Sequence, residues 1–236
     1  MRRNEAPVCI ALIHALEESI APARAAFAER WPDAYCFDLL DTSLAVDLAY
    51  RGSLDKEIAT RIRVLAEYAM SSSGKAGRAA AILFTCSAFG EAIEAVKAQT
   101  VLPVQRPNEA AFEEALNYGC RLGLVTSFEP SLASLREELS SAAAACGVEI
   151  SIHTALAEGA LTALKRGDAA GHDRLIADAA ASLDPVDAVI LGQFSLARAR
   201  ATVEERLQLP VITTPHSAVD ALRRLVAASN ATPEVN

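Results

Sequence analysis

The chain has 236 residues, 52% of them hydrophobic and 22% charged, which is enough to bury a substantial globular core. Its net charge of −8 and the lack of any Lys/Arg run with interleaved aromatics argue against nucleic acid as a partner. The apolar segment after Pro7 soon meets His14, Glu17 and Glu18, so we expect neither a signal peptide nor a membrane span. Five widely spaced cysteines without a C-x-x-C pair predict no disulfide framework and no metal site. We therefore expect a cytoplasmic protein whose partner is a small molecule.

Short apolar runs alternate with longer helical patterns along the whole chain. The predicted strands cover, in chain order, residues 8–13, 35–40, 79–84, 101–104, 122–125, 148–152, 188–191 and 211–213. Ser19 and Pro22 open a helix toward Arg30, and Pro130 opens one that stops at Gly147. This alternation predicts an α/β fold in which parallel sheets carry helices on both faces.

The eight predicted strands form two sets of four, and the loops after them match in kind. His14 pairs with Thr126-Ser127, Asp41-Thr42 with His153-Thr154, Thr85-Cys86-Ser87 with Gln193-Phe194-Ser195, and Pro103 with Thr213-Thr214-Pro215. This quasi-repetition favours two similar lobes, each a four-stranded parallel sheet flanked by helices, over one continuous sheet. Because open α/β sheets bind ligands beyond the carboxyl ends of their strands, we expect the active site in the cleft between the lobes.

Polar side chains at the predicted strand ends are the candidates for this site. Hydroxyl and backbone N–H groups suit a small carboxylate, since several weak donors together replace its water shell. The candidates are His14, Cys86, Ser87, Thr126, Ser127, His153, Gln193, Ser195, Thr213, Thr214 and His216.

Cys86 is the most informative of these residues, because it follows the apolar run at residues 79–84 and precedes a helical pattern. A helix start offers N–H groups and a positive dipole end, which lower a thiol pKa. Cysteine is also a common small buried apolar residue, and we expect that role for the other four, Cys9, Cys36, Cys120 and Cys146.

Several segments resemble the aspartate/glutamate/hydantoin racemase superfamily, which also includes arylmalonate decarboxylases and maleate isomerases. Residues 83–88 (LFTCSA) are similar to its first cysteine motif, and residues 123–128 (GLVTSF) to the threonine-bearing loop that opens the second lobe. Further similarity lies at residues 163–168, 172–175 and 188–192, so that the resemblance covers nearly the whole chain.

The resemblance implies a cofactor-independent and metal-independent isomerase in which two cysteines face each other across the substrate and exchange its α-proton. It also implies that the first lobe comprises residues 1–106 and 207–236, with residues 107–206 forming the second lobe. Related enzymes are often dimers or larger, so a homo-oligomer is expected.

The second cysteine of this family is missing from the chain, because residues 188–191 run into Gly192-Gln193 where the racemases carry Gly-Cys. A glutamine amide does not titrate near neutral pH and cannot act as a general acid or base. A racemase mechanism with two thiols therefore does not carry over intact.

Four alternatives follow for the function. In the first, His14 or His216 replaces the missing thiol in a racemase or isomerase, with a pKa suited to proton transfer. In the second, the substrate decarboxylates and Cys86 alone protonates the product. In the third, Cys86 attacks an unsaturated diacid, and in the fourth the protein only binds a small carboxylate.

We take proton transfer next to a carboxylate or an equivalent carbonyl as the first choice, with Cys86, His14 and His216 as candidate catalytic residues. The candidate substrate-binding residues are Ser87, Ala88, Thr126, Ser127, Gln193, Ser195, Thr213 and Thr214. A carboxylate or a hydantoin-like molecule is the expected substrate.

Overall fold

The computed structural model describes residues 7–231 and divides into two units. One unit holds the described residues up to Arg106 together with those from Val219 onward, and the other is Pro107–Ala218. The chain returns to the first unit at Val219, which is later than the expected residue 207. Residues 207–218 group with the second unit because they include a strand that pairs in the second sheet.

The first unit is built on a parallel sheet of four strands in the order β2-β1-β5-β6. Its strands are β1 (Cys9–His14), β2 (Tyr35–Leu40), β5 (Ala81–Phe84) and β6 (Val104–Gln105), and a two-residue antiparallel hairpin, β3 (Ser73–Gly74) and β4 (Gly77–Arg78), precedes β5. All six residues of β1 are buried, as in a central strand covered on both faces, whereas β2 at the edge is partly exposed.

The second unit repeats this arrangement with the strand order β10-β9-β7-β8. Its strands are β7 (Arg121–Thr126), β8 (Ser151–Leu156), β9 (Ala188–Leu191) and β10 (Val211–Thr213). In both sheets the first strand lies between the second and the third, and the fourth pairs with the third. The predicted fold of two similar four-stranded parallel sheets is confirmed.

Helices connect successive strands in both units, and short 3-10 turns precede the helices that follow the first and third strands. The first unit contains η1 (Glu17–Ser19), α1 (Ile20–Arg30), α2 (Ser43–Arg51), α3 (Lys56–Ser71), η2 (Ser87–Phe89) and α4 (Gly90–Lys97). The second contains α5 (Glu109–Ala115), η3 (Glu129–Ser131), α6 (Leu132–Ala145), α7 (Ala160–Lys165), α8 (Ala169–Ala181), η4 (Phe194–Ala199) and α9 (Arg200–Leu207). The last helix, α10 (Thr214–Ala231), starts directly after β10.

Each sheet buries its apolar side chains against the helices of its own unit. In the first unit Ile13, Ile82 and Phe84 pack with helix residues such as Ile62 and Phe89. Two clusters cover the second sheet, one on the side of α8 and α9 and one on the side of α5 and α6. Among the described residues no helix is long and apolar enough to cross a membrane.

Gly192 directly follows β9, at a point where an added side chain would meet its neighbours closely. A Cβ atom there would lie 2.9 Å from Leu124 Cδ1, 3.3 Å from the Val125 carbonyl oxygen and 3.4 Å from Leu135 Cδ1. The Gly192 N–H also donates to that carbonyl at 2.9 Å, which leaves the backbone little freedom to move away. A side chain here would require Leu124 to move and would press on the Val125 carbonyl, so the close packing favours glycine at this position.

We expect Gly192→Ala to lower the free energy of unfolding by about 1–3 kcal/mol, because the added methyl group overpacks a closed site. Urea unfolding measures this change: the urea concentration at the midpoint should fall, while the slope of the free energy of unfolding against urea concentration stays the same. Gly74→Ala is the matched control, since a Cβ atom at Gly74 meets nothing within 4 Å. Equal losses in the two variants would contradict the close packing at Gly192.

Candidate active site

Cys86 lies at the carboxyl end of β5, where the buried strand turns into η2. Its backbone is extended, and the Ala88 N–H of the following turn bonds to the thiol. The side chain packs against the apolar core of the first unit, while the residue keeps intermediate exposure. Ser87 and Ala88, two predicted substrate-binding residues, are likewise half-buried beside it.

Burial raises the pKa of the Cys86 thiol to about 11, and the bond from the Ala88 N–H opposes this rise without overcoming it. The N–H at the helix start lowers this pKa as expected, but burial outweighs it, so that the pKa lies above the ordinary thiol value. Desolvation by the apolar core disfavours the thiolate more than the N–H group favours it. At neutral pH Cys86 carries its proton.

His14 ends β1 and is fully buried, with all its polar atoms in hydrogen bonds. Its Nδ1 lies 2.9 Å from both Ser19 Oγ and Thr85 Oγ1, and its Nε2 lies 3.1 Å from Asp38 Oδ1, whose other oxygen accepts from Arg24. Burial lowers the pKa of His14 below its usual range, although Asp38 opposes this. A neutral ring that donates to Asp38 and accepts from a hydroxyl satisfies the network, so His14 ties the loops together and presents no unused nitrogen.

Thr126 occupies the equivalent place at the end of β7 and is also fully buried. Its Oγ1 lies 3.3 Å from Ser131 Oγ, five residues further on, as His14 contacts Ser19 five residues further on. Both serines also donate to the carbonyl three residues before them. Thr126, predicted to bind substrate, is thus engaged within its own loop.

Gln193 and Ser127, from two loops of the second unit, are brought together at the carboxyl ends of β9 and β7. Gln193 Oε1 accepts from the Ser127 backbone N–H at 2.8 Å and from Ser127 Oγ at 2.9 Å. Gln193 is the topological counterpart of Cys86, because Thr85 N–H donates to Ile13 as Gly192 N–H donates to Val125. Ser195, in η4, is half-buried nearby in the chain.

The end of β10 brings two further predicted residues together. Thr213 Oγ1 lies 2.5 Å from His216 Nδ1, so the half-buried His216 ring is held by the strand that precedes it. Thr214 is fully buried, and its hydroxyl has no hydrogen-bond partner within the described chain. Thr213 is buried as well.

The other two histidines, His153 and His172, do not lie at the strand ends described above. His153, named as a strand-end candidate, lies inside β8 opposite Gly123, with Nδ1 3.2 Å from Asp184. His172 is fully buried in α8 and contacts Asp173, which also accepts from Arg198. Within residues 7–231 no group of three or more His, Cys, Asp or Glu side chains is placed to hold a metal ion.

Sequence reasoning missed Asn108, a side chain that is 1% exposed and whose amide nitrogen and oxygen both lack partners among the described residues. The fourth strand predicted at residues 101–104 ends too early to make Asn108 a strand-end residue, whereas β6 is Val104–Gln105. With the strand end corrected, Pro107-Asn108 follows β6 as Pro215-His216 follows β10. A repeated polar residue after a proline was the available signal.

Comparison with solved structures places this fold among known enzymes. A glutamate racemase isoform from Bacillus anthracis is 12% identical, with a TM-score of 0.68, over 97% of this chain and 85% of the other. An allantoin racemase from Pseudomonas fluorescens is 16% identical, with a TM-score of 0.69, over 97% and 95%. An unliganded arylmalonate decarboxylase is 19% identical, with a TM-score of 0.60, over 93% and 92%. At these identities the similarity shows the fold alone.

The sequence itself matches a family model. No protein with curated annotation matches the chain. The model described as Asp/Glu/Hydantoin racemase matches residues 17–222, which is most of the chain and includes both Cys86 and Gln193. The chain therefore belongs to the Asp/Glu/hydantoin racemase family.

Proposed function

We propose that this protein is a cofactor-independent enzyme that moves a proton at the carbon next to a carboxylate or an equivalent carbonyl group, with Cys86 as its single thiol acid/base. The observation that carries the proposal is the position of Cys86 at the carboxyl end of a central strand in a chain of this family. Strand ends of parallel sheets are where α/β proteins bind their ligands.

The protonation state of Cys86 indicates which half of the reaction it performs readily. A thiol with a pKa of about 11 holds a proton at neutral pH, and an enediolate can take that proton. Abstraction of an α-proton first requires the thiolate, which is the minor form of Cys86 at neutral pH. The structure thus supports Cys86 most strongly as a proton donor.

The protonated state of the Cys86 thiol also favours decarboxylation of a malonate-type acid as a second candidate function. When the C–C bond to one carboxylate breaks, carbon dioxide leaves and the electron pair stays on the remaining enediolate. Cys86 then transfers its proton to carbon, and the resulting thiolate regains a proton from water. This sequence needs one proton donor and no second titratable residue, in keeping with Gln193 at the place of the other thiol.

His216 is the histidine that we retain in the proposal. Thr213 orients its ring, and the residue keeps intermediate exposure. His14 is less suited to contact a substrate, because both its ring nitrogens are engaged and the side chain is fully buried. The predicted substrate-binding residues that are half-buried are Ser87, Ala88, Ser127, Gln193 and Ser195.

The pKa of Cys86 predicts a characteristic alkylation profile with iodoacetamide. Cys120 and Cys146 are exposed, so the expectation that they are buried is wrong, whereas Cys9 and Cys36 are buried as expected. At pH 8 only about one Cys86 thiol in a thousand is ionised, so we expect Cys120 and Cys146 to react first. The Cys86 rate should rise steeply up to about pH 11. Mass spectrometry of the wild type and of a Cys120→Ser/Cys146→Ser variant measures each site. Preferential labelling of Cys86 at pH 7 would show that its thiol is activated.

Proton transfer is tested by incubating the protein in D2O with amino acids, hydantoins and malonates. We expect α-proton exchange or decarboxylation with one of these classes, and a loss of roughly 100-fold or more in Cys86→Ala, because its acid/base group is gone. NMR follows the α-proton signal, and Cys146→Ala is the control.

The possible outcomes separate the functions. Retained activity in Cys86→Ala excludes the thiol mechanism. Release of carbon dioxide without exchange of the substrate identifies the decarboxylase. Binding without turnover in any class leaves the non-catalytic carboxylate-binding function.

A further inference from the structure

The side-chain amide of Gln193 has a defined orientation. Its oxygen faces the Ser127 backbone N–H at 2.8 Å, and because a backbone N–H can only donate, the atom that it meets must be the amide oxygen. The Ser127 hydroxyl donates to the same oxygen at 2.9 Å. Both bonds go to the amide oxygen, so they exclude the alternative orientation in which the amide nitrogen and oxygen exchange places.

The backbone that carries this amide is held as well. The Gln193 carbonyl accepts from the Leu196 N–H at 3.1 Å, at the start of η4. On its other side the Gly192 N–H donates to the Val125 carbonyl at 2.9 Å. Both ends of Gln193 are therefore set by its neighbours, which limits the entropy that a ligand contact would have to overcome.

The nitrogen end of the amide is what remains for a ligand. Nε2 carries two N–H donors directed away from Ser127, and it has no hydrogen-bond partner among the residues that the structure describes. The residue as a whole is half-buried. Because the Gln193 nitrogen can only donate hydrogen bonds, it favours ligand atoms that accept them over atoms that donate.

We propose, on the basis of the proton-transfer function above, that the Gln193 amide binds a carboxylate group of the substrate and that Ser127 is its positioning residue. Carboxylate oxygens are acceptor-only and form stronger bonds than neutral carbonyls do. Substrates that place an ammonium or a ring N–H at this position are disfavoured. Gln193 thus replaces a proton-exchanging thiol by a fixed anion contact.

Malonate is the probe, and 1,3-diaminopropane is a donor-rich molecule of the same length that serves as the negative control. With 15N-labelled glutamine, the side-chain signals of Gln193 are assigned by their loss in Gln193→Glu. We expect malonate to shift these signals and diaminopropane to leave them in place. Unshifted Gln193 signals at tens of millimolar malonate would overturn the inference.

The variant Gln193→Glu isolates the proposed contact. A glutamate oxygen still accepts from Ser127, while the donor nitrogen becomes an anionic oxygen that repels a carboxylate. We expect the malonate dissociation constant to rise roughly 10- to 100-fold. Gln99→Glu makes the same chemical change at an exposed position and should leave binding unchanged. Wild-type affinity in Gln193→Glu would overturn the inference.

Ser127 is tested by Ser127→Ala, which keeps the backbone N–H and removes the hydroxyl. We expect the free-protein Gln193 amide signals to move and malonate binding to weaken by about threefold to tenfold, with recovery in Ser127→Thr. Unmoved signals would exclude the positioning role. Because all these measurements also work in Cys86→Ala, failure of the carboxylate contact is distinguishable from failure of the proton-transfer function.

Discussion

Parallel pairing of the first and third strands is the constraint on which both halves of the molecule depend. It aligns β1 with β5 and β7 with β9, so that the loops after these strands emerge side by side. Each pair of loops is then joined by a side-chain bond, His14 to Thr85 in one unit and Ser127 to Gln193 in the other. The sheet therefore decides which loop residues lie next to each other, and the types of those residues decide the chemistry that each pair of loops offers.

The two units use this arrangement differently. In the first unit the bonded pair is His14 and Thr85, and Cys86, the next residue, is not part of it. In the second unit the equivalent residue, Gln193, is itself the bonded partner and offers only its amide nitrogen. In the reaction that we propose, the thiol of Cys86 delivers a proton and the amide of Gln193 stabilises negative charge. The repeated scaffold thus carries an asymmetric set of functional groups.

Much of this organisation was predictable from apolar runs and turn residues. The strands at residues 35–40, 188–191 and 211–213 have the predicted limits, because each is rich in apolar or β-branched residues. The fourth strand of the first sheet begins later than predicted, because Val101 resembles a strand start in the sequence but is exposed in the structure. The pKa of Cys86 and the closed network of His14 were beyond sequence reasoning, because burial and long-range partners decide them.

The tight end of β9 has a consequence for how this fold changes its chemistry. Since Gly192 and the bond between Gln193 and Leu196 set the backbone, the side chain at position 193 can be exchanged without remodelling the strand or the turn. A thiol, an amide or a carboxyl group would each be held by the same main-chain geometry. The main chain at this strand end therefore does not depend on which of these groups the side chain carries.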